Sequence, residues 1–188
     1  MTFTFKKLSI PEVILVETQS FSDNRGFFLE NFKTSSFVFN KISTKFVQDN
    51  FSHSIKGVLR GLHYQKNPKA QAKFVTTLRG EIFDAAVDIR KNSPTFGKWV
   101  GEILSDKNHK SLYIPEGFAH GFCVLSEDAD VLYKVNNEYS PENERGIIWN
   151  DPQINIKWPT DTPILHEKDS TLPLLQDADI DFIYTRDK

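Results

Sequence analysis

Along most of the chain, apolar and polar residues alternate in short runs rich in β-branched and aromatic side chains, and clusters of Gly, Asn, Asp and Pro separate the runs. A strand with one face on a core produces this pattern, and its steady return predicts an all-β barrel or sandwich. Strands are expected at Val13–Glu17, Phe27–Phe32, Phe46–Phe51, Gly57–Tyr64, Lys73–Leu78, Ile82–Ile89, Lys98–Leu104, Lys110–Ile114, Gly121–Leu125 and Val131–Asn136. Arg79-Gly80-Glu81 and Ser105-Asp106-Lys107-Asn108 lie between runs and predict tight connections, while Asn92-Ser93-Pro94-Thr95 ends the strand before it. Helical spacing occurs at Thr34–Ile42, with Phe37, Val38 and Ile42 on one side, and a second short helix is expected to open near Ser170. Two antiparallel sheets closed into a jelly roll accommodate this set, with the barrel mouth as the natural ligand site.

Composition narrows the picture. With 188 residues, 39% hydrophobic and 26% charged, the chain suits one compact folded domain and not a disordered one. A net charge of −2 supplies no global positive field for nucleic acid or an anionic membrane, so an anionic ligand has to be caught locally. The single cysteine, in Phe122-Cys123-Val124-Leu125, reads as a buried inert thiol, and an intramolecular disulfide is excluded. The apolar stretch Val13–Val16 is too short for a signal peptide and is bracketed by Glu12 and Glu17. No run approaches the roughly 20 apolar residues of a membrane span, so a cytoplasmic protein is expected.

Chemistry-bearing side chains fall inside strands that ought to be plain. In GVLRGLHYQ (Gly57 to Gln65), Arg60 offers a fork for phosphate oxygens, and His63 is the side chain suited to proton abstraction near neutrality. Taken alone, His63 reads more readily as a hydrogen-bonded core histidine, and its neighbours change that. Alternation puts Lys73 on the face of Val75 and Thr77, where a lysine is out of place unless that face is a pocket; the alternative is an edge-strand lysine. Tyr133 shares its face with Val131 and Val135, so its ring points inward and its hydroxyl needs a partner, although core packing explains such a tyrosine too. Together these three supply a base, a cation and an acid, the set needed to move a proton next to a carbonyl.

The segment Ile114 to Phe122 contains Pro115-x-Gly117-x-x-His120, which resembles the second half-motif of the cupins. Metal-binding cupins also carry a His-x-His pair and a Glu, but here that place reads His63-Tyr64-Gln65, with no Glu from Lys66 to Lys73. A metal-free barrel is expected, since a transition-metal site needs three or more protein ligands.

Further ordered blocks are DNRGFFLE (Asp23 to Glu30), FVQDN (Phe46 to Asn50), GEIFDAAVDIRKNSPTFGKW (Gly80 to Trp99), LYK (Leu132 to Lys134), IIWNDP (Ile147 to Pro152) and EKD (Glu167 to Asp169). With GVLRGLHYQ and IPEGFAHGF, they resemble the dTDP-4-dehydrorhamnose 3,5-epimerase family, a cupin-type nucleotide-sugar branch, from about Val13 to Leu175. The resemblance implies an isomerase of dTDP-rhamnose biosynthesis that inverts C3 and C5 of dTDP-4-keto-6-deoxy-D-glucose without cofactor or metal. It implies that His63 is the general base held by Asp169, that Tyr133 is the facing general acid, and that Lys73 stabilises the enolate. It further implies that Arg25 and Glu30 bind the nucleotide, that Gln48 and Asn50 offer amide contacts, and that Arg60 and Lys168 serve the diphosphate. By the same matching, His120 and Glu144 fall near the ligand, and Phe21 and Phe28 are candidates to stack on thymine or simply core residues. Ala72 stands where the family pattern leads one to expect Gly, and His166 where small polar residues are more usual. Related branches epimerise C3 or C5 alone or isomerise the ketone. A metal-dependent cupin enzyme and a non-catalytic sugar-nucleotide module are rival readings, and the matched His63, Tyr133 and Asp169 favour catalysis.

Two structural expectations follow from the resemblance. Arg60 and His63, three residues apart, belong on opposite faces of a regular strand, so placing both at the ligand predicts a bulge or twist at Gly61. A homodimer is also implied, with one domain spanning 1–188, N-terminal strands of 1–32 crossing to the partner's barrel, and the segment 151–188 packing on the chain's own barrel. The consecutive Phe27, Phe28 and Leu29 suit a strand covered on both faces.

Overall fold

The structure, a computed structural model, describes residues 2–42 and 45–185; Met1 and residues 186–188, which the expected domain and its exchanged and packing segments include, lie outside them. Two antiparallel sheets face each other as a cupin-like jelly roll. One has the strand order β1 (Phe3–Lys7), β2 (Ile14–Thr18), β10 (Lys110–Ile114), β7 (Lys73–Arg79), β12 (Asp128–Val135), β5 (Gln48–Ile55). The other runs β13 (Glu144–Gly146), β6 (Leu59–Gln65), β11 (Phe118–Val124), β8 (Glu81–Asp88), β9 (Trp99–Ser105). A hairpin of β3 (Ser20–Asp23) and β4 (Gly26–Leu29) pairs with neither sheet. Strand alternation creates three apolar layers. Val75, Ile82, Leu112, Phe122 and Val131 meet between the sheets. Phe74, Val16 and Tyr113 point out under Phe37 of the helix α1 (Thr34–Phe39). Ala85, Val87 and Ala119, on the outer face of the five-stranded sheet, are covered by Ile154, Ile156, Leu175, Ile180 and Phe182. The barrel therefore has both walls buttressed, which fixes the side chains that line its mouth.

The predicted turns are where expected: Gly80, at φ 78°, joins β7 to β8, and Asn108 Oδ1 closes the β9–β10 turn by accepting from the Ser105 and Lys110 amides. Cys123 is buried, and burial pushes its thiol up to about 11. Three strands were not anticipated. β1 is a five-residue terminal run that ends in two lysines; β3 is short and mostly polar; β13 has no apolar side chain and exists because Gly146 pairs with His63.

The helix ends sooner than its periodicity suggests. Lys41, in the left-handed region at φ 65°, reverses the chain, and the Lys41 and Ile42 amides donate back to Val38 O and Phe37 O. This is the usual helix-end closure with a lysine where glycine is commonest, and it leaves Val38 exposed instead of packed beside Phe37 and Ile42. Likewise α2 (Glu167–Ser170) ends at Ser170 instead of opening there; His166 caps it, its Nδ1 accepting from the Lys168 amide at 3.1 Å.

Candidate active site

A cavity of about 410 Å³ opens at one end of the barrel, lined by Arg60 and His63 of β6, Lys73 of β7, His120 of β11, Tyr133 of β12, Glu144 of β13, and His166, Lys168 and Asp169 at α2. An adjoining hollow of about 170 Å³ shares His63, Lys73, Tyr133 and Glu144 and adds Asn50 and Tyr139. A larger groove of about 640 Å³ lies between β1 and α1, but Lys33 is its one charged lining residue and it holds no acid–base pair.

Local irregularity makes the constellation possible. Between His120 and Phe122 the β11–β6 register shifts, opposite Gly61, whose φ is 124° and whose peptide bond to Leu62 is cis. Gly61 and Gly121 cross so closely that a Cβ on Gly61 would sit 2.6 Å from Gly121 Cα. Arg60 and His63 consequently line the same cavity, as expected from the glycine between them.

His63 Nε2 lies 2.7 Å from Asp169 Oδ1, and Asp169 also accepts from the Gly61 amide at 3.2 Å. Burial raises the Asp169 carboxyl, but the hydrogen bonds and charge of His63, with the Gly61 amide and the charge of His166, outweigh it and hold the group below its ordinary value. A carboxylate on one ring nitrogen fixes the tautomer and stabilises an imidazolium. Nδ1 bonds no described residue and is left for a ligand.

Tyr133 stands on the opposite sheet. The partner its hydroxyl was expected to need is not supplied by any described residue; the ring packs on the inner core while the hydroxyl faces the cavity. Burial raises its pKa, and the positive charge of Arg60 works against that rise. Lys73 is buried, with Nζ donating to the His63 carbonyl at 3.3 Å; burial lowers it to about 8, opposed by the charges of Asp84 and Glu144. His120 sits opposite His63 in the register, its Nε2 2.8 Å from Asp84 Oδ2, and burial keeps it below its ordinary value despite Asp84.

The cavity wall continues in polar contacts. Arg60 Nε donates to Ser54 Oγ at 3.1 Å. Glu144 Oε2 accepts from Tyr139 Oη at 2.7 Å and from Lys168 Nζ at 2.5 Å. Gln48 donates to Asn50 Oδ1 at 2.7 Å and accepts from the Tyr139 amide at 3.0 Å. Among the described residues no three His, Cys, Asp or Glu side chains converge as metal ligands.

Three expected binding residues are elsewhere in the chain. Arg25, Phe28 and Glu30 ride on and after the free hairpin, where Arg25 pairs with Asp23 at 2.6 Å, Glu30 lies 3.7 Å from Lys33, and Phe28 is 67% exposed. Among the described strands of 1–32, β1 and β2 pair into the six-stranded sheet through β10, while β3 and β4 pair only with each other. The sequence reading did not single out Asp84, Ser54 or Tyr139 as site residues and gave His166 no role. For Asp84 the signal was present, a carboxylate on the inward face shared with Ile82 and Ala86.

Comparison with known proteins points to one family, in which a dTDP-4-dehydrorhamnose 3-epimerase from Streptomyces niveus, 38% identical over 175 residues, also matches. Residues 7–177 match the family described as dTDP-4-dehydrorhamnose 3,5-epimerase. A protein of that name from Shigella flexneri is 56% identical over 176 residues, covering 92% of this chain and 96% of the relative. Among solved structures, dTDP-6-deoxy-D-glucose-3,5-epimerase from Legionella pneumophila, in complex with dTDP-4-keto-L-rhamnose, superimposes with a TM-score of 0.93 at 46% identity, covering 98% of this chain and all of that one. The dTDP-4-dehydrorhamnose 3,5-epimerase from Bacillus anthracis, with TDP and PPi bound, does so at 0.89 and 45%, covering 92% and 99%.

Proposed function

Because this chain belongs to the dTDP-4-dehydrorhamnose 3,5-epimerase family, and is thus an isomerase of dTDP-linked sugar biosynthesis, we propose that it inverts C3 and C5 of dTDP-4-keto-6-deoxy-D-glucose with its own side chains alone. The observation that carries this reading is the placement of His63 and Tyr133 on opposite sheets of one cavity, the imidazole backed by Asp169 and the hydroxyl without a partner among the described residues.

The C4 ketone acidifies the hydrogen on each flanking carbon. His63 takes the C3 proton on Nδ1; the C–H electrons form the C3–C4 double bond, and the carbonyl pair moves onto oxygen as an enolate beside the Lys73 ammonium. Collapse of the enolate draws a proton from Tyr133 to C3 on the other face, so the configuration inverts. His63 and Tyr133 then return to their starting states by proton exchange with solvent, and the same cycle acts at C5. Arg60 and Lys168 serve the diphosphate, Gln48, Asn50, His120 and Glu144 hold the ligand, and no metal takes part.

Arg25, Glu30 and Phe28 enter this scheme from a second copy. The hairpin pairs with neither sheet and touches the barrel through Phe27 on His109, with Phe27 61% exposed, Phe28 67% and the Arg25 side chain 85%, an arrangement that suits insertion against a partner barrel. We read the protein as a cytoplasmic homodimer of single-domain chains, each hairpin completing the other's nucleotide site.

NMR of the product made from dTDP-4-keto-6-deoxy-D-glucose tests the activity. Inversion at both carbons, unchanged after chelation, is expected. Inversion at C3 alone would make the protein a single epimerase, and loss on chelation with rescue by one divalent ion would restore the metal-dependent rival.

A further inference from the structure

Strand β8 sends Ile82, Asp84 and Ala86 into the barrel; Ile82 and Ala86 join the core and Asp84 is shut from solvent between them. A carboxylate on an apolar strand face is costly unless it is bonded or used. Asp88, further along the same strand, is occupied by Arg90, Ser93 and Thr95. Asp84 has one side-chain partner, His120, on Oδ2, while its buried Oδ1 accepts from no described residue. Lys73 enters the barrel from the opposite sheet, lines the cavity beside His120, and among the described residues donates only to the His63 carbonyl.

We propose that Asp84 is a positioning residue for the reacting ketone, the buried counter-charge that holds Lys73 as a cation across the barrel. The inference rests on the enolate-stabilising role proposed above for Lys73. The other groups facing Lys73 do not substitute for Asp84. On β6, His63 is matched to Asp169, and on β13, Glu144 is shared by Tyr139 and Lys168. Burial lowers His120 on β11 and raises Tyr133 on β12, which disfavours the charged form of each. Arg60 and Lys168 add positive charge to the same cavity. Asp84 is the larger of the two charges that keep Lys73 from falling below about 8, a value near enough to neutrality for one lost charge to decide its state.

The test pairs two readings on Asp84→Asn: the pH profile of epimerisation, and direct titration of Lys73 by NMR of 13Cε-labelled lysine. Losing the carboxylate moves the Lys73 titration to lower pH by about one unit, so the rate at pH 8 falls by about fivefold while the rate at pH 6 changes little. If the variant does not fold, Asp84→Glu, with the carboxylate displaced by one methylene, gives the same reading through a displaced Lys73 titration. An unmoved titration in a folded variant, or a rate loss equal at all pH values, overturns the inference and leaves Asp84 as a structural bond to His120. A moved titration without alkaline loss of activity upholds Asp84's hold on Lys73 and removes instead the proposed role of Lys73 in the reaction.

Discussion

Lys73 brings a positive charge into a barrel wall, where it is 8% exposed. Its folded-state value of about 8 lies below the 10.5 of a free lysine, so between those values the unfolded chain binds more protons. Burial therefore costs stability below pH 8, and the cost fades as pH rises from 8 to 10.5. Lys73→Met keeps the length of the side chain without the charge; it is expected to stabilise the fold near pH 7 by on the order of 3 kcal/mol, read as a higher Tm, while epimerisation collapses. A variant that is less stable and still active would contradict both halves of this account. At this scale the sequence was informative because alternation alone puts Lys73, Val75 and Thr77 on one face, and Tyr133 with Val131 and Val135 on another. Asp84 carried the same signal, a polar residue on the inward face with Ile82 and Ala86, but its meaning comes from His120 and Lys73, which are distant in sequence.

Among the elements, β6 depends on the approach of Gly61 to Gly121. Gly61→Ala would place a Cβ within 2.8 Å of two backbone atoms that have no room to yield, at a φ that L side chains rarely adopt. A loss of at least about 2–3 kcal/mol is expected, with Arg60 and His63 no longer sharing a cavity, so activity should fall even in material that folds. A stable, fully active Gly61→Ala protein would show that the irregularity is incidental. Gly61 between Arg60 and His63 made this bend legible in advance. The end of α1 was not legible, since Lys41 gives no glycine signal, and β13 was not, since its strand character is imposed by β6. Short polar strands of this kind are defined by their neighbours.

For the molecule as a whole, the two sheets present His63 and Tyr133 to one cavity from opposite sides, and the hairpin is proposed to complete a partner's nucleotide site. Alternation and turns made the jelly roll readable, whereas the hairpin's isolation shows only in three dimensions, because β3 and β4 pair with nothing else. Mixing inactive His63→Ala with Arg25→Ala protein and exchanging subunits should restore activity, since each heterodimer then has one site with both defects and one with neither. Verified heterodimers without recovery would place Arg25 in its own barrel's site or outside the site altogether. The central claim, proton removal by His63 on one sheet and return from Tyr133 on the other, is tested most directly by turnover in deuterated water with NMR of the sugar. The account predicts deuterium at C3 and C5 with wild-type protein, a loss of about 10²–10⁴-fold in exchange for His63→Ala, and for Tyr133→Phe a larger loss of inversion than of exchange. Wild-type exchange rates in His63→Ala would contradict it.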